Sequence, residues 1–372
     1  MDEHQEPKEQ KRSAERQNLK NDKSINNFLR IGERDEMLVT CTGILVVDLI
    51  AAHLPKVSSP GELTYVPKGI EMHMGGHCGN VSIDLRKLGV KKGEVSAIGA
   101  VGKDIFGDFL EGLLKENGIV TYLQRVSEVG TSKDLILVVR NEDRRFHVDV
   151  GANMRLNPEY ILAVLEEEKP QIFYAGGVGF TGKLDEQLSV VLRKAREMGC
   201  VTFVDPVTPY MRGWNFIVSS LKWMDIFHCN KDEAKEITGK ENPQEAAKWM
   251  RRKGAGIVII SLGEKGLIAV TEDRIFEMSA FKVPIVDPSG AGDALCAGII
   301  HGLLRLMDRK GREISDLSEK ELVDVLLEGE AAGAACVTMV GTTTAVTKEN
   351  VARILREQKE ELLAGYVKIK PL

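Results

Sequence analysis

Several features that would each have pointed to a class of protein are missing from this chain. It has no C-x-x-C pair; its six cysteines, at 41, 78, 200, 229, 296 and 336, sit singly in apolar stretches. That spacing argues against a disulfide framework or a zinc ribbon, and for buried thiols in a reducing compartment. It has no excess of positive charge. The net charge is −5, so neither nucleic acid nor an acidic membrane surface is expected as a partner. It has no apolar run fit to span a bilayer, because the longest, 37–52, contains Thr, Gly and Asp. The N-terminus is charged from Asp2 and shows no secretory signal. A cytoplasmic protein is expected. There is no internal repeat. His73 and His77 are four apart beside Cys78, but Gly75 and Gly76 lie between them, so a helical metal-ligand pair is not expected.

Two motifs are nearly present and fail on chemistry. Residues 177–184 almost spell a phosphate-binding P-loop after a strand. The position that should carry a metal-ligating Ser or Thr is Leu184. The glycine pairs at 75–76 and 176–177 do not extend into G-x-G-x-x-G with an acidic residue at the right distance.

What is present is a chain long enough for one large domain with a sizeable core. Residues 1–36 are rich in Glu, Lys, Arg, Gln and Asn and read as a disordered charged tail. From 37 to 372 apolar strands alternate with amphipathic helices, which predicts a mostly parallel central sheet with helices on both faces, an α/β fold. The run 38–47 reads as a buried first strand ending at Asp48. Short segments at about 61–74 and 131–150 read as hairpins that form a separate small β lid. Polar residues close several predicted strands: Asp48, Asp205, Asn230 and Ser261. Each suits a helix cap. Together they gather on the sheet edge where open α/β folds bind ligands.

The stretch from Val286 to Asp293, V-D-P-S-G-A-G-D, organises the rest. An extended segment, 281–286, runs into Pro288. Small residues follow, and a helix is predicted from 291 to 307. A small-residue turn opening a helix leaves N–H groups free at the positive end of the helix dipole, a site for an anion. Asp293 in the first turn is either a stabilising end charge or a general base beside a bound phosphoryl group.

These residues resemble the ribokinase-like (PfkB) family of carbohydrate and nucleoside kinases. Residues 287–293 are similar to its C-terminal Asp-x-x-Gly-Ala-Gly-Asp signature. Residues 75–82, with Gly89 and Gly99, are similar to its N-terminal one, from which Cys78 departs. Residues 98–107, 230–233 and 261–266 follow further family motifs in order, so the match covers roughly 37–360. The resemblance implies a ribokinase-like fold and an ATP-dependent kinase using Mg2+. It implies Asp293 as general base, with Gly290, Ala291 and Gly292 as an anion hole. Asn230, Ser261, Gly263 and Gly266 would meet the nucleotide, and Glu233 would organise Mg2+ through water. Asp48, Gly75, Gly76 and Asn80 would hold the acceptor. Asp287 and Ser289, with backbone from 341–344, mark the place for a monovalent cation such as K+.

A sugar or polyol is the first expectation for the acceptor and a nucleoside the second. Aromatics make up only 5% of the chain, though Phe146, Tyr174 or Phe180 could flank a base. Lys68, Arg144 and Arg145 near the lid could meet a sugar phosphate but read as solvated hairpin charges, and Arg212 could meet a sugar acid. A catalytically silent binding relative is the alternative class; it would be expected to have lost Asp293 or its glycines, and this chain keeps them. An exposed lid edge would favour a homodimer.

Overall fold

The computed structural model describes residues 36–372 except 141, 143 and 308–313. The expected tail, apart from Glu36, and part of the expected turn at 141–143 lie outside the described residues. The elements are, in order, β1 (Val39–Gly43), β2 (Val46–Leu54), β3 (Ile70–Gly75), α1 (His77–Leu88), β4 (Val95–Gly102), α2 (Ile105–Glu116), β5 (Val120–Val126), β6 (Lys133–Val139) and β7 (Arg145–Asp149). Next come α3 (Pro158–Glu168), β8 (Ile172–Val178), α4 (Lys183–Glu197), β9 (Val201–Pro206), α5 (Asn215–Ser220), β10 (Ile226–Asn230), α6 (Lys231–Thr238), α7 (Pro243–Arg252) and β11 (Ile257–Ser261). The chain closes with β12 (Leu267–Val270), β13 (Arg274–Met278), α8 (Ala291–Met307), α9 (Glu319–Cys336), α10 (Lys348–Gly365) and β14 (Val367–Pro371).

Ten strands form one sheet in the order β14-β13-β12-β11-β10-β9-β8-β1-β4-β5. From β11 to β5 every pairing is parallel, and β12 to β14 add an antiparallel edge. Alternate residues of each strand feed two cores. Ile257 and Ile259 of β11 join α1, α2, α8, α9 and α10 on one face. Val258 and Ile260 join α3 to α7 on the other. A period of two with both faces apolar is what a doubly covered sheet requires. Polar caps at Asn157, Asn242, Ser318 and Thr347 open four of the helices by accepting first-turn N–H groups.

The second sheet has four strands, β3-β2-β6-β7. Its composition corrects the expected lid in two ways. Residues 63–68 form no strand. The missing strand comes from the run read as a single first strand, which is divided. β1 ends at Gly43, the chain turns through Ile44 and Leu45, and β2 starts again in the small sheet. The Asn153 side chain fixes that turn, accepting from Leu45 N at 3.1 Å and donating to Leu45 O at 3.0 Å. Asp48 therefore lies inside a lid strand, not at the end of a central one. Residues 281–286 also form no strand, because β14 occupies the free edge of β13. Helices α3 and α5 and strand β14 had no counterpart in the sequence reading.

Candidate active site

Strands β9, β10 and β11 run parallel and end level. Asp205 pairs in register with Gly176 of β8, and Asn230 with Ser261. Their carboxyl ends deliver Asp205, Asn230 and Ser261 to one edge, as expected. Helix α8 starts beside that edge. Gly290 has φ 76°, which favours glycine, and a Cβ there would come within 2.8 Å of Thr342. The turn therefore needs glycine on both counts. The first N–H groups of α8 have no intrahelical acceptors; Ala291 N makes a 3.4 Å contact to Pro288 O.

Asp293 follows in the first turn of α8 and is buried at 7% exposure. Its Oδ2 accepts from Asn80 Nδ2 at 2.7 Å, and Asn80 Oδ1 accepts from Thr342 Oγ1 at 2.9 Å. The Asn80 amide, expected to hold the acceptor, is thus engaged at both ends within the protein and orients Asp293. Burial pushes the Asp293 carboxyl up from its ordinary range; the nearby His77 charge opposes this and Asp205 adds to it. His77 Nε2 lies 3.9 Å from Asp293 Oδ1 and 3.9 Å from Asp205 Oδ2. His228 joins Asp205 Oδ1 through Nδ1 at 2.8 Å and Ser261 Oγ through Nε2 at 3.1 Å. The sequence reading did not single out these imidazoles as site residues.

On the side expected to meet the nucleotide, Asn230 caps α6, its Oδ1 accepting from Asp232 N and Glu233 N at 2.9 Å each. Glu233 returns the contact, accepting from Asn230 N at 2.9 Å. This is a capping box. The Glu233 carboxyl is buried and pushed up to about 6, by burial first. Gly263 (φ 61°) and Gly266 (φ 92°) shape the loop after Ser261, closed by Leu262 N donating to Gly266 O at 2.7 Å.

The small sheet supplies the opposite wall. Asp48 is in register with His73 of β3 and Asp134 of β6. Gly75 makes room for it: a Cβ there would lie 2.3 Å from Asp48 Oδ2. Gly76 is the N-cap residue of α1. The Asp48 carboxyl is pushed up to about 7, by burial first and then by the charges of Asp134, Asp293 and Asp287. Phe146 shares the Asp48 face, because it pairs with Ile136, next but one to Asp134, and it is exposed. Tyr174, by contrast, is buried with its hydroxyl on Asp205 at 3.1 Å.

Three of the four basic side chains weighed as acceptor contacts are committed to partners. Arg212 reaches Glu186 at 3.4 Å, and Arg145 pairs with Glu142, while Lys68 is exposed. Arg144 Nη1 donates to Asp287 Oδ1 at 2.7 Å. Asp287 also accepts from Ser289 N at 3.0 Å and Gly341 N at 3.2 Å. The carboxylate expected to face a monovalent cation is therefore already neutralised by an arginine from the lid. The near P-loop is closed to phosphate as well: Asp185 takes the N–H groups of Gly179, Thr181 and Gly182. The six cysteines are buried and unpaired.

A parallel sheet with a glycine-turned helix N-terminus and a buried carboxylate at its carboxyl edge defines a phosphoryl-transfer class of site. The pfkB carbohydrate-kinase family profile matches residues 37–349. The chain belongs to that family and is a sugar or nucleoside kinase. It is 27% identical to aminoimidazole riboside kinase of Salmonella typhimurium, over 73% of this chain and 84% of that one. A ribokinase from Giardia lamblia superposes with TM-score 0.75 at 22% identity, over 87% of this chain and 99% of that one. A fructokinase with bound ATP from Xylella fastidiosa gives TM-score 0.73 at 20% identity, over 87% and 99%. Among the described residues no helix is long and apolar enough to cross a membrane.

Proposed function

We propose that the protein transfers the γ-phosphoryl group of ATP to a hydroxyl of a small sugar or polyol. One observation carries the reading most: Asp293, buried at the glycine-turned start of α8, is within electrostatic reach of Asp48, a second carboxylate supplied by a different sheet. One group suits proton removal and the other suits hydroxyl binding. Asp48 accepts hydrogen bonds from acceptor hydroxyls, a strong way to fix a sugar. Gly75 and Gly76 allow the acceptor to approach the backbone.

In the transfer step the acceptor oxygen forms a bond to γ-phosphorus as its proton passes to Asp293 Oδ1. The bond between γ-phosphorus and the bridging oxygen breaks, leaving ADP. The N–H groups of Gly290, Ala291 and Gly292 meet the charge on the phosphoryl oxygens in flight. Phosphoryl transfer draws mainly on such positioning and charge stabilisation. Asn230, Ser261, Gly263 and Gly266 line the nucleotide.

Glu233 fits Mg2+, being a hard oxygen donor whose charge is penalised by burial and offset by few cations. Mg2+ held there through water would neutralise phosphate charge. A monovalent cation at Asp287 and Ser289 has to compete with Arg144, which this reading makes the resident positive charge.

A nucleoside acceptor is the second reading, favoured by Phe146 on the Asp48 face. A homodimer through the small sheet is also part of the proposal. Ile70, Met72 and Leu135 lie on one face in register with β2 and are 63%, 43% and 41% exposed, an apolar surface that a second copy would cover.

The test is a panel of sugars, polyols and nucleosides with ATP and Mg2+, scored by ADP release. Release with a sugar or polyol is expected. Release only with nucleosides selects the second reading, and none with any acceptor overturns both.

A further inference from the structure

The chain of side chains behind Asp293 has no part in the transfer as described so far. Ser261 Oγ, His228, Asp205, His77 and Asp293 follow one another at 3.1, 2.8, 3.9 and 3.9 Å. They connect the loop after β11 to the first turn of α8. Asp205 is held further by the Tyr174 hydroxyl at 3.1 Å and the Cys296 thiol at 3.4 Å, both on Oδ2. Burial would push its carboxyl up, but His228, His77 and Cys296 hold it below the usual carboxylate range.

His77 occupies the first residue of α1. A positive imidazolium is disfavoured at a helix N-terminus by the dipole, so something must compensate for it. The two carboxylates at equal distance do so. The packing also reserves room for the ring. A Cβ on Gly176 would lie 2.6 Å from His77 Cβ, and one on Gly177 would lie 3.1 Å from His77 Nδ1.

Taken with the assignment of Asp293 as base, on which it rests, this geometry supports a role for His77. We infer that His77 is a positioning residue for phosphoryl transfer: clamped between Asp205 and Asp293, its imidazolium supplies the positive charge that keeps Asp293 a proton acceptor. Through Asp205 and His228 it also links that carboxylate to the nucleotide loop.

The surrounding groups make this charge necessary. Asp293 is faced by Asp48 from β2, Asp84 from α1, Asp205 from β9 and His228 from β10. Tyr174 of β8, Cys296 of α8 and Cys336 of α9 also face it, each held neutral by burial. Glu233 of α6 faces His77. The neighbourhood is rich in carboxylates, and burial favours protonated Asp293. Burial works against the charged form of His77 too, but Asp293, Asp205 and Glu233 outweigh it and raise its proton affinity.

The sign follows. Removing the imidazolium raises the pH at which Asp293 loses its proton, so the acid limb of kcat, measured at saturating acceptor, moves to higher pH. An opposite charge within about 4–6 Å typically moves a carboxylate by roughly 1–3 pH units.

The experiment compares pH profiles of His77→Gln and His77→Lys with the wild type, using the acceptor found in the panel. His77→Gln should shift the acid limb upward by roughly 1–3 units, with activity largely recovered at high pH. His77→Lys should move it back toward the wild-type position. Superimposable profiles for His77→Gln and wild type would overturn the inference, as would equal shifts for both variants. Should the variants misfold, 15N NMR of the wild-type imidazole decides. A protonated ring at pH 7 is expected, and a neutral one overturns the inference. Asp293→Asn separates the two levels: if it stays active the assignment of the base fails. If it is dead while His77→Gln leaves the profile unmoved, only the role of His77 fails.

Discussion

The two sheets that face each other across the site are built to different standards of burial. Both faces of the ten-stranded sheet are covered by helices, and β4 and β8 are buried along their whole length. The four-stranded sheet is covered far less: every residue of β7 is exposed, as are the first three of β3. At its carboxyl edge Asp205 is held by His228, Tyr174 and Cys296, and on the adjoining α8 Asp293 accepts from Asn80. On the small sheet, Asp48 has no comparable set of donors and its proton affinity is raised to about 7. The difference teaches a division of labour. Asp293, the proposed base, sits on the well-buried side, while Asp48, the proposed acceptor-binding group, sits on a sheet with little of its own core.

The strongest way to break this comparison is to remove the proposed base from the well-buried side. Asp293→Asn keeps the volume and the Asn80 contact, so the thermal midpoint should change little. Turnover should fall by about 10²–10⁴-fold, the usual contribution of general base catalysis. A residual rate within tenfold of the wild type would move the base elsewhere.

The two regions also differ in how far they can be read from residues alone. Helix α8 is legible from 291 to 307 because its start is written in adjacent residues: proline, two glycines and Asp293, then the apolar run 294–300. The edge residues Asp205, Asn230 and Ser261 are legible because each ends a short apolar strand. The small sheet is not. The run through 38–47 is interrupted only by Thr40, Thr42 and Gly43, which do not say that the chain leaves one sheet for the other; the Asn153 side chain that fixes the turn comes from 108 residues away. Likewise, His77 looks like any polar residue after two glycines until Asp205 and Asp293 are brought to either side of it. Residues 281–286 carry strand-like composition, but a strand also needs a free edge, and β14 takes it.

On the small sheet the matching test is Asp48→Ala. A hydrogen bond to a charged group contributes about 1.5–3 kcal/mol, so acceptor KM should rise roughly 10- to 100-fold while the KM for ATP changes little. Equal rises in both would place Asp48 outside the acceptor site and erase the division between the sheets.

A pH titration sharpens the same point with a smaller effect. Acceptor binding as proposed needs the ionised carboxylate, and the Asp48 proton is retained up to about 7. Acceptor kcat/KM should therefore climb as pH rises through that value and level off above it, through KM rather than kcat. Asp48→Asn should remove that limb and leave the rest of the profile in place. A wild-type profile flat between pH 6 and 8, ranges chosen as about one unit either side of that value, would show that burial is relieved before the acceptor binds.

The smallest effect is expected at an ion pair between the small-sheet side and the turn that opens α8. Arg144, just before β7, reaches Asp287 just before the proposed anion-hole turn, with side chains 18% and 13% exposed. Burial would push the Asp287 proton affinity up, but hydrogen bonds from Ser289, Gly341 and Arg144 together hold it below the usual carboxylate range. Removing one of several donors should cost a few-fold, because Ser289 N and Gly341 N remain. Arg144→Ala should lower kcat by about 2- to 10-fold, in line with about 0.5–1.5 kcal/mol for a single net hydrogen bond. It should also leave Asp287 short of positive charge, so K+ should restore part of the lost rate in the variant and change the wild type little. Wild-type activity that depends on K+ while Arg144→Ala behaves identically would show that the arginine is a lid fastening alone, and that the charge beside the anion hole comes from solution.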